Sequence, residues 1–129
     1  GCYFSDSTSK SANYCYTTSD KKIGLLSLSE VSLGAFNELK QADYNADQLP
    51  PGKQSTKGVG RAEPDKNEWV TLDDGLVVPV GKVKNVVSAK DAANYALLYN
   101  EFIVYDTAQI RMKYLVKVEF DYDLDSDEE

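Results

Sequence analysis

Three features of the sequence predict an α+β domain dominated by antiparallel strands. Met112, Tyr114, Val116, Val118 and Phe120 alternate with Arg111, Lys113, Lys117 and Glu119, Leu115 being the exception. A two-residue period of this kind marks a half-buried antiparallel strand. Val70 to Leu72 and Leu76 to Val78 flank Asp73-Asp74-Gly75, and an Asp-Gly pair between apolar runs is a hairpin signal. Helix-start chemistry stands out at one place, near the beginning of the chain.

There Asp6 or Ser7 can cap a helix running to about Tyr16. Ser11 and Tyr14 are three apart and Lys10 and Tyr14 four apart, so these side chains share one helical face. Thr17-Thr18-Ser19-Asp20 reads as a turn. Ile23 to Leu33 is an apolar run with interleaved serines, long enough for a buried strand. Pro50-Pro51-Gly52 punctuates the middle of the chain. Asp91 to Leu98 reads as a short helix or a loop. It leads into Glu101-Phe102-Ile103-Val104-Tyr105, a β-branched and aromatic run that sets one carboxylate at a strand end.

The chain has 129 residues, 42% hydrophobic and 27% charged, enough for one domain with a real core. No apolar run approaches the roughly 20 residues of a bilayer-spanning helix, and no N-terminal signal sequence is visible, so no membrane partner is expected. Net charge is −7, but six of the acids fall in residues 121–129, which hold no Lys or Arg. The first 120 residues are therefore close to neutral, and the end reads as a solvated, disordered acidic tail. No basic patch suggests direct nucleic-acid binding. Cys2 and Cys15, with no histidine anywhere, do not make a zinc site of ordinary spacing, and no metal is expected. Reduced thiols are the plainer reading of the pair. The absence of histidine also removes Ser-His and Cys-His catalysis. Lys53, Ser55, Lys57, Gly58 and Gly60 lack the Gly-Lys-Ser/Thr ending of a P-loop and read as structural.

Several segments, in order, carry a resemblance to a known family. They are the opening Gly1-Cys2-Tyr3-Phe4 through Lys10-Ser11-Ala12-Asn13-Tyr14-Cys15, Gly24 to Gly34, Asn37-Glu38-Leu39, Gly52 to Gly60, Leu97 to Asp106, and Arg111 to Leu115. Together they resemble the C-terminal half of the catalytic domain of poly(ADP-ribose) polymerases, within the diphtheria-toxin-like ADP-ribosyltransferases. The resemblance covers residues 1–120 and leaves 121–129 as the tail. It implies the fold of that group, incomplete at its N-terminal side. It also implies cleavage of the nicotinamide–ribose bond of NAD and transfer of ADP-ribose to protein acceptors or a growing polymer.

By that resemblance Glu101 is the catalytic glutamate. A carboxylate there can accept a hydrogen bond from the ribose 2′-hydroxyl, which strengthens as the ring gains positive charge, and can polarise the acceptor hydroxyl. Tyr14 resembles the tyrosine that stacks on nicotinamide, and Ser11 the serine that hydrogen-bonds its carboxamide. Tyr3 resembles the tyrosine of the family's His-Tyr-Glu triad and walls the other side of the nicotinamide pocket. Lys10 resembles a lysine near the glutamate and the acceptor phosphates. Tyr99 and Leu98 fall on the acceptor side. Glutamate rather than an apolar residue at position 101 favours polymer extension over mono-ADP-ribosylation, and a nuclear location is the family's implication.

The departures are as specific. The triad histidine sits, in the family, in a His-Gly pair upstream of the segment matching Gly1 to Tyr3, and has no counterpart here. The glycine that holds the nicotinamide carboxamide, the loop over the donor site and the first strands would lie upstream as well. The expectation is a half-domain whose partner is the N-terminal half, with an apolar face uncovered and marginal stability alone. A catalytically dead remnant acting as a binding or scaffold module is the alternative, and a mono-ADP-ribosyltransferase of the same fold is the third.

Overall fold

The computed structural model describes residues 1–122, and the acidic end from 123 onward lies outside the described residues. The elements in order are β1 (Cys2–Phe4), α1 (Thr8–Ala12), β2 (Ile23–Val31), β3 (Phe36–Leu39), β4 (Ser55–Gly58), β5 (Gly60–Pro64), β6 (Val70–Thr71), β7 (Val77–Val78), β8 (Val83–Asn85), β9 (Leu97–Tyr99), β10 (Glu101–Val104) and β11 (Ile110–Glu119). Short 3₁₀ turns occur at Lys66–Glu68, Ala92–Asn94 and Thr107–Gln109.

A four-stranded sheet has the order β1-β10-β4-β3, and a three-stranded sheet the order β8-β5-β9. Two ribbons, β11-β2 and β6-β7, complete the set. Pairing is antiparallel except for β3 with β4 and β5 with β9, so the sheet-rich, mostly antiparallel expectation holds.

Helix α1 is shorter than its sequence suggests. It ends at Ala12 rather than near Tyr16, and Ser7 makes no side-chain cap. Ser, Thr and Asn compete for the backbone and weaken a helix. The chain leaves in tighter i→i+3 bonds: Asn13 N–H to Lys10 O, Tyr14 N–H to Ser11 O and Cys15 N–H to Ala12 O, at 3.3, 3.1 and 3.0 Å.

The turn at Thr18 closes through reciprocal backbone bonds with Lys21. Pro50-Pro51-Gly52 turns with Gly52 at φ +81 and Lys53 N–H bonded to Pro50 O. The Asp73-Asp74-Gly75 turn joins β6 to β7, with Gly75 at φ +87. The Asp91 to Leu98 segment resolves into a 3₁₀ turn followed by β9.

The β2–β11 ribbon departs furthest from expectation. Its register slips between Met112 and Tyr114, leaving Lys113 out of the ladder. The extra residue turns Met112 to the side of Ser29 and Tyr114 to the side of Leu28, so the single apolar face read from strict alternation is split by a bulge. Nor is β2 buried. Leu25, Leu28, Met112, Tyr114 and Leu115 are all more than half exposed.

Ile103 and Val104 of β10 and Ala62 and Pro64 of β5 are buried, so the core sits along β10, between β1 and β4, and along β5. Polar side chains fill much of the rest. Ser55 Oγ donates to Leu33 O at 2.7 Å, and Thr56 Oγ1 lies 2.8 Å from Tyr105 Oη. These bonds let the polar β4 lie beside β10 without unpaired hydroxyls.

Candidate active site

Glu101 is the first residue of β10, where the chain passes from the β8-β5-β9 sheet into the β1-β10-β4-β3 sheet. A parallel crossing occurs beside it: β4 ends at Gly58 and β5 begins at Gly60. Both glycines are demanded by close approach. A Cβ on Gly60 would lie 2.3 Å from the Tyr99 carbonyl carbon, and one on Gly58 would lie 2.7 Å from Leu97 Cδ1 and 3.5 Å from Glu101 Cβ. The glycines of the Lys53–Gly60 segment thus let two strands change sheets side by side next to the carboxylate.

Lys10, in the middle of α1, reaches this point. Its Nζ lies 3.3 Å from Glu101 Oε1 and donates to Tyr99 O at 3.4 Å. Both side chains are mostly shielded, 14% and 21% exposed, so their attraction is screened less than that of a surface pair.

Tyr3 pairs with Ile103 across the β1–β10 ladder. The pleat therefore sets Tyr3, Ile103 and Glu101 on one face of the sheet, and the Tyr3 ring stands 63% exposed at its edge. Phe102 points the other way, where Lys57 Nζ lies 5.8 Å from its ring and 5.5 Å from that of Phe36.

Ser11 follows Lys10 directly and is half-buried, and the Tyr14 ring is 65% exposed. The structure thus brings Lys10 to the head of β10 and Tyr3 across from Ile103, while Tyr14 lies beyond the end of α1 at Ala12 rather than on one helical face with Lys10 and Ser11. Leu98 and Tyr99 are consecutive in β9 and face opposite sides. Tyr99 offers its carbonyl to Lys10, while Leu98, with Arg61, Asn85 and Val87, lines a separate surface cavity of about 240 Å³.

A group that the sequence reading missed lies immediately behind Glu101. Asn100 is 1% exposed. Its Oδ1 accepts from Gly60 N–H at 2.8 Å, and its Nδ2 donates to Asp6 Oδ2 and to Glu63 Oε2, both at 3.0 Å. Two carboxylates thus share one amide. Burial pushes the Asp6 carboxyl above its usual range; the Asn100 bond opposes this and the Glu63 charge reinforces it. Glu63 also meets Lys66 Nζ at 3.7 Å. The signal available in sequence was a polar residue between two strand-forming runs, which ordinarily marks a turn.

No group of three or more His, Cys, Asp or Glu side chains with metal-binding geometry occurs among the described residues. Both cysteines are free. No helix among the described residues is long and apolar enough to cross a membrane.

Comparison with known proteins places the chain in a family. The model of the poly(ADP-ribose) polymerase catalytic domain matches residues 1–120. The chain is 52% identical over 122 residues to poly(ADP-ribose) polymerase 2 of Arabidopsis thaliana, covering 95% of this chain and 18% of that protein. It is 53% identical to poly(ADP-ribose) polymerase 2-A of Oryza sativa subsp. japonica, with the same coverage. Against poly(ADP-ribose) polymerase 2 of Homo sapiens it is 48% identical, covering 95% of this chain and 21% of the relative. The chain therefore spans about a fifth of the length of the curated relatives it matches. A match over 120 of 129 residues, on the segments that build the Lys10–Glu101 site, means that the chain belongs to the poly(ADP-ribose) polymerase catalytic-domain family.

Proposed function

We propose that this chain supplies the glutamate side of an NAD-dependent ADP-ribosyltransferase site that builds poly(ADP-ribose) on protein acceptors. The observation that carries the reading is the Lys10–Glu101 pair, 3.3 Å apart at the head of β10 on the sheet face that also bears Tyr3. In the transfer, the nicotinamide–ribose bond breaks as positive charge develops on the ribose. Glu101 accepts the hydrogen bond of the ribose 2′-hydroxyl, a contact worth more in the transition state than before it, and then orients the acceptor hydroxyl. Lys10 holds the Glu101 carboxylate turned toward the substrate. Tyr14 stacks on nicotinamide, Tyr3 closes the opposite wall, and Ser11 bonds the carboxamide.

The fold assigned here is that of the diphtheria-toxin-like transferases. The exposed apolar side chains of the β2–β11 ribbon support its being packed, in the active enzyme, against the N-terminal half of the catalytic domain. The same half brings the triad histidine, since these 129 residues contain none. By family membership we also assign a nuclear location, which imaging of a fluorescent fusion checks.

A second reading is a binding module without turnover. Labelled NAD separates the two. Polymer on acceptor protein supports the transferase, single ADP-ribose units point to a mono-transferase, and benzamide binding without any label transfer points to the module. Stacking contributes on the order of 0.5–1.5 kcal/mol beyond burial, so Tyr14→Ala should weaken benzamide, a nicotinamide mimic, by roughly tenfold. Unchanged affinity would remove Tyr14 from the donor site.

A further inference from the structure

Asn100 touches neither Lys10 nor Glu101 by its side chain, yet it joins the segments that carry them. Asp6 lies four residues before Lys10, just ahead of the start of α1, and Asn100 lies one residue before Glu101. The bond from Asn100 Nδ2 to Asp6 Oδ2 therefore fixes the approach of α1 to the head of β10. The bonds to Gly60 N–H and to Glu63 fix the same amide to β5. With all three in place the carboxamide has one orientation, and the backbone of Glu101 follows it.

We propose that Asn100 is a positioning residue for the transfer: by holding Asp6, Glu63 and the Gly60 amide at once, it sets the Glu101 carboxylate on the Lys10 ammonium. This rests on the assignment of Glu101 as the catalytic carboxylate. Removing the carboxamide leaves two carboxylates without a shared donor and the Gly60 N–H without an acceptor. Misplacement by about 1 Å of a group acting in the transition state costs up to about 10²-fold in rate.

The test uses the intact protein and compares Asn100→Ala, Asp6→Ala and Asp6→Asn with wild type and with Glu101→Gln. The readouts are NAD turnover, benzamide affinity and thermal unfolding. Asn100→Ala should lower kcat by about 10–100-fold while KM for NAD and benzamide affinity stay within about threefold. Asp6→Ala should move kcat the same way by less. Asp6→Asn should return it to within about threefold of wild type, because its side-chain oxygen accepts the same bond.

Turnover by Asn100→Ala and Asp6→Ala within about twofold of wild type overturns the proposal, as does a fall in kcat matched by an equal loss of benzamide affinity. If Asn100→Ala does not fold, the Asp6 pair decides, and equal turnover by the alanine and asparagine variants overturns it. An inactive Glu101→Gln beside active Asn100 and Asp6 variants sinks the positioning role alone. A fully active Glu101→Gln removes the catalytic assignment and the positioning role together.

Discussion

At the scale of the residue, chemistry and placement were legible to different degrees. Glu101 and Lys10 were readable because they sit in motifs, and they meet at 3.3 Å. Asn100, Asp6 and Glu63 were not, because their roles arise from contacts across 37 and 94 residues that no local pattern encodes. The Asp6 carboxyl has a measurable signature. Its folded-state pKa is raised by burial, with Glu63 adding to the shift. Below the ordinary carboxylate pKa of about 3.9 the group is protonated whether folded or not and contributes nothing to the pH dependence. As pH rises toward the folded pKa, the unfolded chain ionises first, so this group destabilises the fold increasingly, and fully above that pKa. Asp6→Asn should therefore be more stable than wild type near neutrality. The advantage should vanish in acid. Urea unfolding from pH 3 to 8 checks it, and a difference that does not change with pH would mean that Asp6 is not buried beside Glu63 as described.

At the scale of the element, apolar period and turn chemistry located the strands starting at Ile23 and running through Met112 to Glu119, and the hairpin around Gly75. They could not locate β4 and β5. Ser55-Thr56-Lys57-Gly58 has no apolar alternation, and Gly60 and Pro64 both argue against a strand. These elements exist because hydroxyl bonds to Leu33 O and Tyr105 Oη stand in for hydrophobic burial and because glycine permits the crossing with β9. The bulge at Lys113 was equally invisible, since alternation in sequence says nothing of the partner's register. The crossing gives a contrast between two glycines. Gly60→Ala would drive a Cβ to 2.3 Å from backbone of Tyr99, whereas Gly52→Ala meets open space and only the cost of φ +81. Gly60→Ala should lose about 3 kcal/mol or fail to fold, and Gly52→Ala about 1 kcal/mol. Equal losses in denaturant unfolding would contradict the close crossing of β5 and β9.

At the scale of the whole molecule, the charge split, the sheet-rich character and the uncovered apolar surface follow from composition and motif order. The location of that surface did not. Part of it lies on the β2–β11 ribbon, where Leu25, Leu28, Met112, Tyr114 and Leu115 stand more than half exposed, while Ile103 and Val104 of β10 are buried. A ribbon held mainly by its own ladder opens more readily than one packed on a core. In the 129-residue chain alone, amide hydrogens of Leu25 to Val31 and Met112 to Glu119 should exchange faster than those of β10. Equal, strong protection of the ribbon and of Ile103 and Val104 would show that it needs no further covering.

The measurement closest to the central claim is NAD-dependent polymer synthesis by the intact protein and its Glu101→Gln variant, each with benzamide affinity measured alongside. A carboxylate acting on the ribose and the acceptor hydroxyl predicts a loss of kcat on the order of 10²–10⁴-fold. Benzamide affinity should change by no more than about threefold. Polymer yield from Glu101→Gln equal to wild type would contradict the assignment of the Lys10–Glu101 pair as the centre of the transfer.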